Sequence, residues 1–223
     1  MNKLAVLMLS GLLLAGSALA QGQPSAAIGI QHTLFDLSNF AVLLMDEDAA
    51  ELSLMPKTEI MLTRGAGAVS LLANFGYARA MSSYERDNSG DKYEEKSVIQ
   101  AIDIKAGIKI SGGSHQPGRG ESYLYIMGGK RIGSQEYEEK DGDYEYDPDK
   151  DYVEYRNKLM SPWLASGGFG AEYFFNSHLA LNMDLRADLI FVSATYEDDN
   201  GTDRTSTSML IQTRPILGLS IYY

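Results

Sequence analysis

The sequence predicts an all-β chain rolled into an eight-stranded antiparallel up-and-down transmembrane β-barrel. Three observations predict it. Residues 179–191 read LALNMDLRADLIF, with apolar residues at the odd positions and Asn182, Asp184, Arg186 and Asp188 between them. A strand sorts this pattern onto two faces, whereas a helix scatters it. The pattern recurs, and the connections between its repeats alternate short and long. Finally, no segment beyond residue 20 is apolar for long enough to span a bilayer as a helix, which leaves the closed barrel as the spanning solution.

The ends and composition set the frame. Lys3, the run LAVLMLSGLLLAG and the ending Ala18-Leu19-Ala20 predict a cleaved signal peptide over 1–20 and a barrel domain over 21–223. A membrane anchor is the rival, but the run is shorter than the ~20 residues a helical span needs. The chain has no Cys, which excludes a lipidated N-terminus, disulfides, thiol catalysis and Cys-based metal sites. The formal charge is −11, and −12 once Lys3 is removed. So acidic a chain is a poor partner for nucleic acid.

Eight strands follow in order. Residues 25–34 set Ala26, Ile28 and Ile30 against Gly29, Gln31 and Thr33. Residues 51–64 set Leu52, Leu54, Ile60 and Leu62 against Glu51, Ser53, Lys57, Glu59 and Thr63, with Pro56 on the apolar face as a candidate bulge. Residues 67–84 set Val69, Leu71, Phe75 and Tyr77 against Ser70, Asn74 and Gly76; Arg79 falls on the apolar side, which suits the membrane boundary or a preceding bulge. Residues 98–110 set Ile102, Ile104, Ala106, Ile108 and Ile110 against Asp103, Lys105, Gly107 and Lys109. The stretch 121–133 fits either facing. Residues 160–175 turn Phe169, Tyr173 and Phe175 outward and Ser166, Gly168, Gly170 and Glu172 inward. After 179–191, the last strand, 209–223, sets Met209, Ile211, Leu217, Leu219, Ile221 and Tyr223 against Gln212, Arg214, Gly218 and Ser220.

Short links fall at 65–67, 112–120 and 176–178, and long ones at roughly 35–50, 85–97, 134–158 and 197–206. Long links at one end and short turns at the other are the outer-membrane pattern. The long links are acidic and rich in Tyr, as in EYEEKDGDYEYDPDKDYVEY. FAVLLM at 40–45 fits either a strand or a membrane-skimming segment.

The leader, the eight strands and the ending GLSIYY at 218–223 together resemble the small outer-membrane β-barrels of the OmpA transmembrane-domain, OmpX and opacity-protein type. Gly218, Ile221 and Tyr223 match that superfamily's terminal assembly signal, although Tyr replaces the commoner Phe. GFGAEYFFNSHLALNMDLR at 168–186 looks like its turn between the sixth and seventh strands. The resemblance implies a cell outer-membrane location among lipids and lipopolysaccharide. It also implies insertion by the barrel-assembly machinery with periplasmic chaperones.

The expected lumen set is Glu51, Lys57, Glu59, Asp103, Lys105, Lys109, Glu172, Asp184, Arg186, Asp188 and Arg214. Eight strands leave an interior just wide enough for side chains, so these charges are expected to pair as a plug; a narrow solute channel is the alternative. Asp141–Asp151 carries carboxylates at nearly alternate positions, but without EF-hand spacing it reads as a solvated loop, with calcium binding the alternative and no metal assigned. Some small barrels are lipid-modifying enzymes that use a His and a Ser. Here Ser177 and His178 are adjacent, and adjacent strand residues face opposite ways. No catalytic residue and no cofactor is expected, and Trp163, Tyr173, Phe175 and Tyr223 read as interfacial aromatics. The expected protein is a monomer whose loops serve surface interaction, including capture of an extracellular ligand. A soluble lipocalin-like barrel is the structural rival.

Overall fold

A computed structural model describes residues 26–34, 56–66, 68–88, 91–112, 116–141, 144–146, 150–197 and 203–223. The leader, Glu51, FAVLLM at 40–45, His115 and residues 142–143 and 147–149 of the acidic segment lie outside these residues.

The strands are β1 (Ala26–Thr33), β2 (Thr58–Ala66), β3 (Val69–Asn88), β4 (Asp91–Ser111), β5 (Gly120–Asp141), β6 (Tyr144–Tyr146), β7 (Trp163–Asn176), β8 (Leu179–Glu197) and β9 (Asp203–Tyr222). Each ring strand pairs antiparallel with its neighbours, and β1 pairs with β9 to close a ring of eight; β6 adds only to the tip of β5. Where all eight strands overlap, closure leaves no sheet edge, and the backbone groups there are paired between strands. At the seam, Tyr223 donates its backbone N–H to the Ala26 carbonyl at 2.9 Å, and Ala26 donates back at 3.2 Å.

The side-chain period of two then divides inside from outside. Inward residues such as Gln31, Glu59, Asn74, Lys105, Arg186 and Arg214 are buried, while outward Ile30, Ile126 and Ile211 are 59%, 63% and 57% exposed. The segment 121–133 resolves the same way, with Glu121, Tyr123, Tyr125, Met127 and Arg131 buried and Leu124, Ile126 and Ile132 exposed.

At two glycines the backbones of β4 and β5 approach very closely. A Cβ on Gly107 would lie 1.9 Å from the Ile126 carbonyl oxygen, and one on Gly129 would lie 2.0 Å from that of Ile104. No side chain fits there, so the close approach of the two strands requires glycine at both positions.

Strand pairing extends into two of the expected links. Pairing of β3 with β4 continues to Asn88 and Asp91, and pairing of β8 with β9 to Glu197 and Asp203. The third link holds β6 and a helix, α1 (Lys150–Leu159), which the period-2 reading does not reveal. This helix has a structural task. β7 stops at Trp163, opposite Lys130 on β5 and Phe191 on β8, yet both neighbours run on. α1 contacts both of them above β7. The turn after it accepts from Arg131 N–H through the Pro162 carbonyl at 3.0 Å and from Gly133 N–H through Ser161 Oγ at 3.2 Å. Asn157 Oδ1 accepts from Gln135 N–H at 3.2 Å. Three successive edge amides of β5 are thereby satisfied without a neighbouring strand. Leu159 packs on buried Leu164, Ile190, Val192 and Leu210, and Glu154 pairs with Lys158 at 2.9 Å one helical turn away.

Candidate functional site: a charge network inside the barrel

The barrel interior contains one continuous set of charged and polar side chains, to which every ring strand contributes. Glu59 on β2 lies at its centre. It accepts from Arg186 on β8, from Arg214 Nη2 on β9 at 2.6 Å and from Asn74 Nδ2 on β3 at 2.8 Å. Lys105 on β4 stands 3.7 Å away. Asp188 on β8 accepts from Arg214 Nε at 2.9 Å, from Lys105 at 3.4 Å and from Ser166 on β7. Arg186 also donates to Tyr125 Oη on β5 and to Gln31 Oε1 on β1, each at 2.7 Å. Asp184 accepts from the Tyr123 and Tyr125 hydroxyls at 3.1 Å and from Gln31 Nε2 at 3.3 Å.

Two smaller groups flank this centre. Lys109 meets Glu172 at 2.6 Å, and the Tyr222 hydroxyl donates to the other Glu172 oxygen at 2.9 Å. Arg131 forks onto Asp103 at 2.7 and 3.0 Å.

The charges balance locally. Lys105, Arg186 and Arg214 pair with Glu59 and Asp188 in the centre, where Asp184 supplies the third carboxylate, and the flanking groups add the Lys109–Glu172 and Arg131–Asp103 pairs. Burying an ion costs several kcal/mol unless a partner or hydrogen bonds compensate; Glu59, Asp188, Arg186 and Arg214 have both, and Asp184 is held by the Tyr123, Tyr125 and Gln31 hydrogen bonds. Arg186 and Arg214 are fully buried. Room for the tyrosines comes from β7. A Cβ on Gly168 would lie 2.5 Å from the Tyr125 ring, and one on Gly170 would lie 2.8 Å from that of Tyr123.

The structure thus brings together Glu59, Asp103, Lys105, Lys109, Glu172, Asp184, Arg186, Asp188 and Arg214. Lys57 is a correction, because its side chain is exposed. The chain bends at Lys57 before β2 begins at Thr58, so counting by twos back from Glu59 gives the wrong face. Pro56 is corrected too: it is buried, and its carbonyl accepts from Arg214 at 2.9 Å. Glu51 lies outside the described residues. Arg79 is exposed on the outer face.

The sequence reading left out Tyr123, Tyr125 and Arg131. Their shared odd parity with Glu121, against apolar Leu124, Ile126 and Ile132, was the available signal; Lys130 on the even face obscured it.

At the C-terminus, Gly218 faces inward where a Cβ would meet Asn182 Oδ1 at 2.3 Å, while Ile221 and Tyr223 are exposed outside. His178 Nδ1 lies 3.0 Å from the Tyr222 carbonyl oxygen and His32 Nδ1 lies 3.1 Å from Thr58 Oγ1, so both rings contact strand-end partners. Among the described residues, no helix is long and apolar enough to cross a membrane.

Fold and interior together define a closed, side-chain-filled eight-stranded barrel. No protein-family model matches the chain, and no curated protein does. Among solved structures it is similar to the N-terminal β-barrel domain of Pseudomonas aeruginosa OprF, at 13% identity and a TM-score of 0.40, with 91% of this chain and 100% of that one covered. It is also similar to Neisserial surface protein A, at 6% identity and a TM-score of 0.41, covering 89% and 96%. The Yersinia pestis attachment invasion locus protein Ail follows, at 8% identity and a TM-score of 0.38, again covering 89% and 96%.

Proposed function

We infer that this chain is an integral outer-membrane β-barrel with a structural or surface-interaction role. One observation supports this reading above all: a ring of eight strands with ion pairs buried inside and isoleucine, leucine and aromatic side chains exposed outside. Water would oppose both halves of that arrangement, whereas acyl chains favour them. The long strands support display beyond the bilayer, since β3, β4, β5, β8 and β9 have 19–22 residues each and a crossing needs only ~9–11.

The same reading includes export by a leader cleaved after Ala20 and insertion by the barrel-assembly machinery with periplasmic chaperones. It includes a monomeric state, contact with lipopolysaccharide, loops that meet an extracellular partner, and no enzymatic activity.

The test is fractionation of a Gram-negative host that makes the full chain. The protein should enter the outer membrane, need detergent for extraction, and migrate faster on gels before boiling than after. N-terminal sequencing should begin at Gln21. A well-folded polypeptide in the aqueous fraction would overturn the reading.

A further inference from the structure

On the outer wall, small residues adjoin across five strands. Ala106 pairs with Gly128, Gly128 with Ala165, Gly167 with Ala187, and Ala187 with Thr213. Bulkier neighbours border two adjoining hollows, open to the outside, of about 520 and 790 Å³, which share Ile108, Ile126, Gly167 and Ala187. Gly107 and Gly129 are required by the close approach of β4 and β5. Gly128 and Gly167 are not, because a Cβ on either would meet nothing nearer than 3.9 Å. Their effect is to keep the hollow open.

Toward the long-link end the surface changes character. Two residues beyond the Gly128–Ala165 pair, Lys130 pairs with Trp163, and its ammonium lies 4.8 Å from the indole centroid. Among the described residues Lys130 has no carboxylate partner. Trp163 is 62% exposed and stands opposite Phe191. Beyond Phe191 comes an exposed ladder of hydroxyls, Ser193 with Thr207 at 3.3 Å and Thr195 with Thr205 at 2.9 Å. One strip of wall therefore runs from an apolar hollow, past an aromatic face and a cation without a counter-ion, to a row of hydroxyls.

We propose that this strip binds one phosphorylated glycolipid of the outer leaflet. An acyl chain lies in the hollow, a phosphate meets Lys130, and the sugar rests against Trp163 and the Ser193–Thr207 hydroxyls. The chemistry matches part by part. A lone ammonium at a lipid boundary attracts an anion, and Trp is at home where an apolar body meets a polar head. A plain phospholipid would fill the hollow but leave the hydroxyl ladder unused. The proposal rests on the outer-membrane reading, with the long links facing outward.

Trp163 is the chain's single tryptophan, so its emission reports on the site directly. The full barrel in phosphatidylcholine nanodiscs is titrated with bisphosphorylated lipid A, with phosphatidylglycerol, and with a neutral galactosyl diacylglycerol. Lipid A should shift Trp163 emission saturably and bind at least several-fold tighter than the other two. Lys130→Gln should weaken it about tenfold, as loss of one charged hydrogen bond implies. Gly167→Leu should weaken it by filling the hollow, while Arg79→Gln, elsewhere on the rim, should leave it unchanged. Equal response to all three lipids would overturn the proposal. So would unchanged lipid A affinity in both Lys130→Gln and Gly167→Leu, provided each keeps its fast gel migration before boiling. A barrel that folds only with amphiphile yet ignores lipid A sinks this inference alone; one that folds in water sinks the outer-membrane reading beneath it.

Discussion

At the residue scale, the interior is held by ions that cannot be removed one at a time. Arg186 touches Glu59, Tyr125 and Gln31, and Arg214 touches Glu59, Asp188, Thr33 and the Pro56 carbonyl. Replacing either by Gln leaves a buried carboxylate short of its cation, and should cost about 3–5 kcal/mol. Urea titration of the folded barrel in detergent, read by gel mobility without boiling, checks this; an unchanged midpoint for Arg186→Gln would contradict the network. Glu59→Gln should be at least as damaging, because three cations lose one partner together. Tyr125→Phe should cost less, about 1–3 kcal/mol, since it removes a hydroxyl but no charge.

At the element scale, α1 stands where a strand would otherwise be needed. It appears in an acidic, Tyr-rich stretch with no apolar alternation, so the period test that finds strands passes over it. Its role becomes visible only when β7 ends and leaves β5 with an uncovered edge. Changing Asn157 and Ser161 together to Ala removes the acceptors for the Gln135 and Gly133 amides. Hydrogen exchange at those two amides should then speed up by at least tenfold while the ring amides stay protected; uniform protection would show that the helix does not cover that edge. Gly107 and Gly129 belong to this scale as well. An Ala at either position meets backbone rather than a movable side chain, so the barrel should fail to close.

At the scale of the whole molecule, the inverted arrangement predicts its own behaviour. Ile126→Lys places a cation on the lipid-facing wall beside the hollow, and should destabilise the barrel by about 2–4 kcal/mol in a bilayer. The same change would be nearly neutral on a soluble protein's surface, so equilibrium unfolding in lipid separates the two cases. The interior also bears on transport. With all eight ring strands contributing side chains to one paired network, planar-bilayer recordings should show no steady ion conductance in the wild-type barrel.

Much of this was legible in the amino-acid order. Alternation in 98–110, 179–191 and 209–223 revealed strands, their two faces and most of the interior charges, because an extended chain leaves a side chain no choice but odd or even. Parity holds only while the chain stays extended, and so it failed at Lys57, where a bend precedes β2. What the linear order determined is therefore the set of strands and the sign of each face. What only the tertiary structure decided is which ion meets which, as with Glu59 and Arg186, 127 residues apart. It also decided where a helix must stand in for a strand. Both depend on how a closed sheet brings distant strands to one height, and no local periodicity encodes that.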